Sequence, residues 1–155
     1  MSQLFDLAAF LDSGVSMLGG SANDDLVPEA FRVWGASVDG GGRIRALVSS
    51  DAGQTLVGLQ AGTIICFNIS DPLTFRSIQV KGRATGSAQP PGPADVECIR
   101  RYGETFGATA VQRGIPLALL ESTRPLSVFA VTVEIDELYD QTPGPTAGTR
   151  LADEG

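Results

Sequence analysis

A chain of 155 residues with 43% apolar side chains can bury one substantial core and is cramped for two. Its net charge of −7 argues against a nucleic-acid surface and against docking on an anionic membrane. It contains no histidine, which removes Ser-His-Asp and Cys-His catalysis, histidine zinc sites and a histidine haem ligand.

Cysteine usage adds little chemistry. Cys66 and Cys98 are too far apart for a CxxC motif, and Cys66 sits in an apolar run, where a packed, inert thiol is expected. No metal site is expected. The opening Met1-Ser2-Gln3-Leu4 lacks a basic leader, and no apolar run approaches the roughly 20 residues that span a bilayer. A soluble, cytoplasmic protein is expected. All basic residues but one are arginine, so the single lysine, Lys81, stands out.

In chain order, Leu4, Leu7, Ala8 and Leu11 follow helical spacing, which predicts a short amphipathic helix over 3–13 that Ser2 can cap and Gly14 can end. Residues 14–20 read as a first strand and 31–38 as a second. In the second, Phe31 and Val33 share one face, and Arg32, Trp34 and Val38 share the other. Asp39-Gly40-Gly41-Gly42 is a hairpin turn leading into a returning strand, 43–49. No helix follows that turn, so it is not a dinucleotide fingerprint. Asp51-Ala52-Gly53 opens a short helix through Leu59, with Leu56 and Leu59 inward.

The central stretch, Thr63 to Thr85, organises the rest. Residues 63–69 are almost continuously apolar and β-branched, as in a strand buried on both faces. Asp71-Pro72 turns the chain. The return run alternates, with Ile78, Val80 and Ala84 on one face and Ser77, Gln79, Lys81, Arg83 and Thr85 on the other. That polar row is either a solvated outer face or a ligand wall.

Gln89-Pro90-Pro91-Gly92-Pro93 is a rigid connector within one domain, 1–155. A long helix follows, with Val96, Ile99, Gly103, Phe106 and Ala110 at spacings of three and four, Glu97 facing Arg101, and Gly114 and Pro116 as its end. Residues 126–135 form the last long strand, and the tail, 139–155, is read as extended, its Pro- and Gly-rich part being neither helix nor central strand. About six hairpin-joined strands avoid bare edges most economically by closing. The expected fold is α+β and mainly β: a six-stranded antiparallel barrel with peripheral helices.

These elements, in this order, resemble the FMN-binding split barrel of pyridoxamine 5′-phosphate oxidase-like proteins over roughly residues 4–136. The run Arg76-Ser77-Ile78-Gln79-Val80-Lys81-Gly82-Arg83 carries most of the resemblance. It implies a split barrel, FMN as cofactor, and a homodimer with two ligand sites at its interface. Carried over by residue, Gln79 matches the strand glutamine that reaches the flavin, and Arg32 the arginine near the cofactor. Ser49 and Ser50 fall where strand-end groups approach the phosphate. One departure stands out. Where the oxidases place an Arg-Lys pair on the phosphate, this chain has Asp51-Ala52, and a second phosphate lysine falls near Ser37. Helix-end amides and hydroxyls can take an anion instead, which keeps Ser49, Ser50 and Thr55 as candidates.

Arg76 and Lys81 are candidates for phosphate or carboxylate binding, with solvated strand charge as the alternative. Arg32 beside Trp34 can hold and cover a planar ring, or simply pack against it. The tail is either a clamp on a partner subunit or a frayed end. Two functions follow. One is an FMN-dependent oxidoreductase of unassigned substrate and unassigned catalytic acid. The other is a non-catalytic module that binds a flavin or another anionic small molecule on the same dimeric barrel.

Overall fold

The structure, a computed structural model, describes residues 5–151. It opens with α1 (Leu7–Leu11), β1 (Ser16–Ala22), the hairpin β2 (Pro28–Val38) and β3 (Arg43–Ser49), and the short α2 (Gly53–Gly58). A second hairpin, β4 (Ile64–Ser70) and β5 (Ser77–Ala84), leads to α3 (Pro93–Gln112) and α4 (Leu117–Ser122). The chain ends in β6 (Val128–Asp140) and β7 (Arg150–Leu151). All pairings are antiparallel, in the order β3-β2-β1-β4-β5-β6, and β6 closes on β3 from Arg43–Glu134 to Ser49–Val128. Closure satisfies the ladder groups that an open sheet leaves bare. The result is the expected mainly-β, six-stranded antiparallel barrel with peripheral helices, to which β7 adds a short strand.

Alternation along the strands fills the interior. Met17, Phe31, Ile44, Phe67, Ile78 and Val133 are buried inside the barrel. A second buried layer lies outside it, where α3 packs on β2 and β3. Gly35 makes this close approach possible. Its φ is +144°, and a Cβ there would meet Cys98 Sγ at 3.2 Å and Leu47 Cδ1 at 3.3 Å. Asp95 holds the start of α3. Its carboxylate takes two 2.7 Å bonds from the Arg45 guanidinium and one of 2.8 Å from the Gly92 amide. The Arg45 bonds, helped by the Gly92 amide, hold the Asp95 carboxyl below the usual carboxylate range against the cost of burial.

Several sequence expectations are revised. β4 is not buried on both faces. Ile65, Phe67 and Ile69 point inward, while Ile64 is 63% exposed and Asn68 is exposed. The apolar character of Ile64 and Cys66 concealed the alternation. Val38 lies on the core side with Ala36, because the strand register shifts between Val33 and Ala36. Glu97 pairs with Arg100, and Arg101 reaches Asp12 instead. The Ser2 cap lies outside the described residues. Asp6 caps α1, accepting from the Ala9 amide at 3.0 Å. Finally, β6 runs on to Asp140, and the segment behind it folds back as β7 along Leu138 and Tyr139. The chain's own strand thus carries the tail.

Among the described residues, no helix is long and apolar enough to cross a membrane, and no group of three Cys, Asp or Glu side chains is placed to hold a metal ion.

Candidate functional site

The alternation of β2 sends Phe31 and Val33 into the barrel and turns Arg32 and Trp34 outward, under α3. On α3, Tyr102 and Phe106 sit one turn apart and stack with ring centroids 5.4 Å apart and planes 4° from parallel. The Arg32 guanidinium lies 5.1 Å from the Trp34 ring centroid and 5.7 Å from that of Phe106. A cation therefore sits among aromatic faces, a favourable arrangement when water is excluded.

Beside this cluster α3 presents Gly103 and Gly107, four residues apart. A Cβ on Gly103 would touch nothing within 4 Å, and one on Gly107 would meet only Leu117 Cδ1, at 3.7 Å. The missing side chains leave an open cleft of about 890 Å³ between α3, α4 and the start of β6. Its lining is mostly apolar, with Trp34, Leu117 and Val128 among the walls and Arg100, Glu104, Glu121 and Arg124 at its charged positions. A smaller recess of about 30 Å³, lined by Arg32, Trp34 and Tyr102, lies beside it, with room for about one or two waters.

Three residues lining this recess each bury a polar atom that lacks a well-formed hydrogen bond among the described residues: Arg32 Nε, Trp34 Nε1 and the Tyr102 hydroxyl, the last with the Arg32 guanidinium and the Met17 backbone as its polar neighbours. Each such group typically costs about 1–3 kcal/mol when left bare. Arg and Trp are donors only. Tyr102 is only 5% exposed, and burial pushes its phenol up to about 12, opposed by the nearby Arg32 guanidinium and the Met17 backbone. It stays protonated at neutral pH and can donate. The complement of this recess is an edge rich in acceptors, such as carbonyl oxygens or unprotonated ring nitrogens.

The sequence candidates divide into four groups, of which Arg32, in the aromatic cluster, is the first. Gln79 and Lys81 lie together on the open outer face of β5, next to Asn68 and Cys66 of β4 and Tyr139 of β6. The Lys81 ammonium is 4.9 Å from the Tyr139 ring centroid. Arg32, Leu18, Asn68 and Gln79 are successive register partners across β2, β1, β4 and β5. Three strand spacings, about 14 Å, therefore separate Arg32 from Gln79. Arg76 stands apart from both, stacked at 4.9 Å on Phe5 and 5.7 Å on Phe10 beside α1.

Ser49, Ser50 and Thr55 form the fourth group, around the start of α2. Ser49 is buried, donates its hydroxyl to the Asp51 carboxylate at 3.1 Å and accepts from the Asp51 amide. The Ser50 amide donates to the Ser127 carbonyl, on the wall of the cleft. The Thr55 amide donates to Glu29 Oε2 at 2.6 Å and the Gln54 amide to Glu29 Oε1 at 3.4 Å. Burial alone would raise the Glu29 carboxyl; the bonds from Thr55 and Gln54 outweigh it and lower it, with no cation contributing. An FMN phosphate at this helix end would meet the carboxylates of Glu29 and Asp51, and the amides it needs are taken. The residues present do not fit the phosphate.

Sequence reasoning missed Tyr102 and Glu29. The Tyr102–Phe106 spacing was legible as an aromatic pair on a helix. Nothing near Glu29 marks it, since its partners lie 25 and 26 residues away.

No family model matches the chain, and no curated protein does. Solved structures do. HupZ of Group A Streptococcus superposes with a TM-score of 0.54 at 14% identity, over 94% of this chain and 100% of that one. An F420 reductase superposes with a TM-score of 0.53 at 15% identity, over 88% of this chain and 98% of that one. At such identities the likeness establishes the shared fold.

Proposed function

We propose that this chain, which has the split-barrel fold of the pyridoxamine 5′-phosphate oxidase-like proteins, is a binding module for a planar aromatic small molecule of the flavin class. The observation that carries the proposal is that Arg32, Trp34 and Tyr102, each with a buried polar atom lacking a well-formed hydrogen bond, line one recess beside an apolar cleft. Apolar walls with a few converging polar groups are the usual build of a small-molecule site. In this arrangement the ring system lies against Trp34 and the glycine strip of α3. Its acceptor edge enters the recess and takes donors of Arg32, Trp34 and Tyr102, which a small side-chain shift must first uncover. The chain's own residues bind, orient and exclude water. No redox step is assigned to them.

Trp34 is the chain's one tryptophan, so its fluorescence reports on the cleft directly. Titration with riboflavin, FMN and lumichrome should quench or shift that emission with a saturable dependence, and gently purified protein should retain an aromatic chromophore. Emission that stays flat across all three rings would sink the reading.

A second reading, a flavin-dependent oxidoreductase acting as a homodimer, draws support from a different place. Gln79, Lys81 and Tyr139 form a polar wall on the open face of the barrel, beside Leu18 at 48% exposure and Ile64 at 63%. Exposed apolar groups around a polar wall suit a face shared by two copies of the chain. Sedimentation of the native protein against a Leu18→Glu, Ile64→Glu variant tests it, and two monomers would end it.

A further inference from the structure

We propose that Glu29, with Asp51, is a specificity-determining group that makes the cleft select a dephosphorylated aromatic ligand, a riboflavin-class molecule, over its phosphate ester; this rests on the cleft being the ligand site. The start of α2 adjoins the cleft through a direct link. The Ser50 amide donates to the Ser127 carbonyl at 3.0 Å, and Ser49 is the register partner of Val128, with Ser127 and Val128 both lining the cleft. A chain attached to the bound ring and leaving over Ser127 therefore runs toward Asp51 and the first amides of α2.

A phosphate arriving there finds two obstacles. The Thr55 and Gln54 amides already donate to the Glu29 carboxylate, a built-in anion that supplies from β2 the charge a phosphate would bring. Asp51, exposed and two residues past the end of that strand pairing, adds a second like charge. The hydroxyl that could have served as a donor, on Ser49, is buried and turned to Asp51. A hydroxyl-ended chain meets none of the charge repulsion. Its terminal group can donate to Glu29 or Asp51 instead of opposing them. Specificity here is obtained by placing a carboxylate against the wrong ligand, the repulsive half of recognition.

The experiment compares riboflavin and FMN by Trp34 fluorescence on wild-type protein, Glu29→Gln and Asp51→Asn, each at low and at high salt. Riboflavin is expected to bind the wild type about tenfold or more tightly than FMN, a difference worth about 1.4 kcal/mol. The gap should narrow several-fold in Asp51→Asn, in Glu29→Gln, and at high salt, where exposed charges are screened. Circular dichroism and melting establish that each variant is folded. Asp51→Asn leaves the Glu29 bonds to α2 intact and keeps the test decisive if Glu29→Gln does not fold. FMN binding the wild type as tightly as riboflavin overturns the proposal and leaves the cleft as a flavin site. A riboflavin preference unchanged in both folded variants also overturns it, because the selectivity then comes from elsewhere. If neither flavin perturbs Trp34, the cleft reading fails together with this one.

Discussion

Arg32 lies against Trp34 at 5.1 Å, with its Nε buried and without a hydrogen-bond partner among the described residues. A guanidinium normally satisfies its fork of donors, so this one is held by ring faces while part of its hydrogen-bonding capacity stays open. Replacing it by methionine retains the stem and removes the charge. Arg32→Met is expected to leave the melting temperature within a few degrees and to weaken aromatic-ligand binding about tenfold, from loss of about 1–2 kcal/mol of cation–π and hydrogen-bond energy. Isothermal titration beside a thermal melt reads both quantities.

Tyr102→Phe separates a ligand-facing hydroxyl from a structural one. The hydroxyl is buried without a well-formed hydrogen bond, its polar neighbours being the Arg32 guanidinium and the Met17 backbone, so deleting it should change stability by no more than about 1 kcal/mol, with the Phe106 stacking retained. Binding should fall several-fold in the same variant. A hydroxyl bonded within the fold would give the opposite pattern, with stability lost and affinity kept.

The Asp95 carboxylate ties α3 to Arg45 of β3, and its native value is lowered chiefly by the Arg45 bonds. Because the native pKa is depressed, the stabilisation is complete above the unfolded value of about 3.9 and is lost as the pH falls through the lowered native value. Asp95→Asn is expected to cost about 2–3 kcal/mol at neutral pH. Its urea-unfolding free energy should decline less than that of the wild type as the pH is taken below about 4.

Gly82 marks where β5 and β6 slip register, and a Cβ there would run into the Glu134 carbonyl oxygen. The obstacle is backbone, which cannot swing aside. Gly82→Ala is expected to destabilise by about 2–3 kcal/mol in chemical denaturation. By contrast, Gly103→Ala meets no atom within 4 Å and should stabilise α3 by up to about 1 kcal/mol while narrowing the cleft.

Much of the barrel was readable without coordinates, because strand alternation is a local property. The split of Ile78 and Val80 from Gln79 and Lys81 is written in consecutive residues, and the turns at Asp39–Gly42 and Asp71-Pro72 are written in their own side chains. Hairpin order then left barrel closure as the way to avoid bare edges. Arg32 and Trp34 could be placed on a shared face by the same counting. What alternation could not supply was the cover on that face. Whether a polar row is solvated or roofed depends on where a helix some 70 residues later comes to rest, and α3 settled over β2 and β3, leaving Gln79 and Lys81 open. The register shift beside Gly35 reversed Val38, since one extra residue inverts everything beyond it. Glu29 is the sharpest case. Its sequence neighbours are unremarkable, and its role at α2 exists only because the start of β2 lies beside the end of β3. Local chemistry determined the strands, the turns and their faces; only tertiary placement decided which donors were buried together and which anion occupied the helix end, because those are contacts between residues distant in the chain.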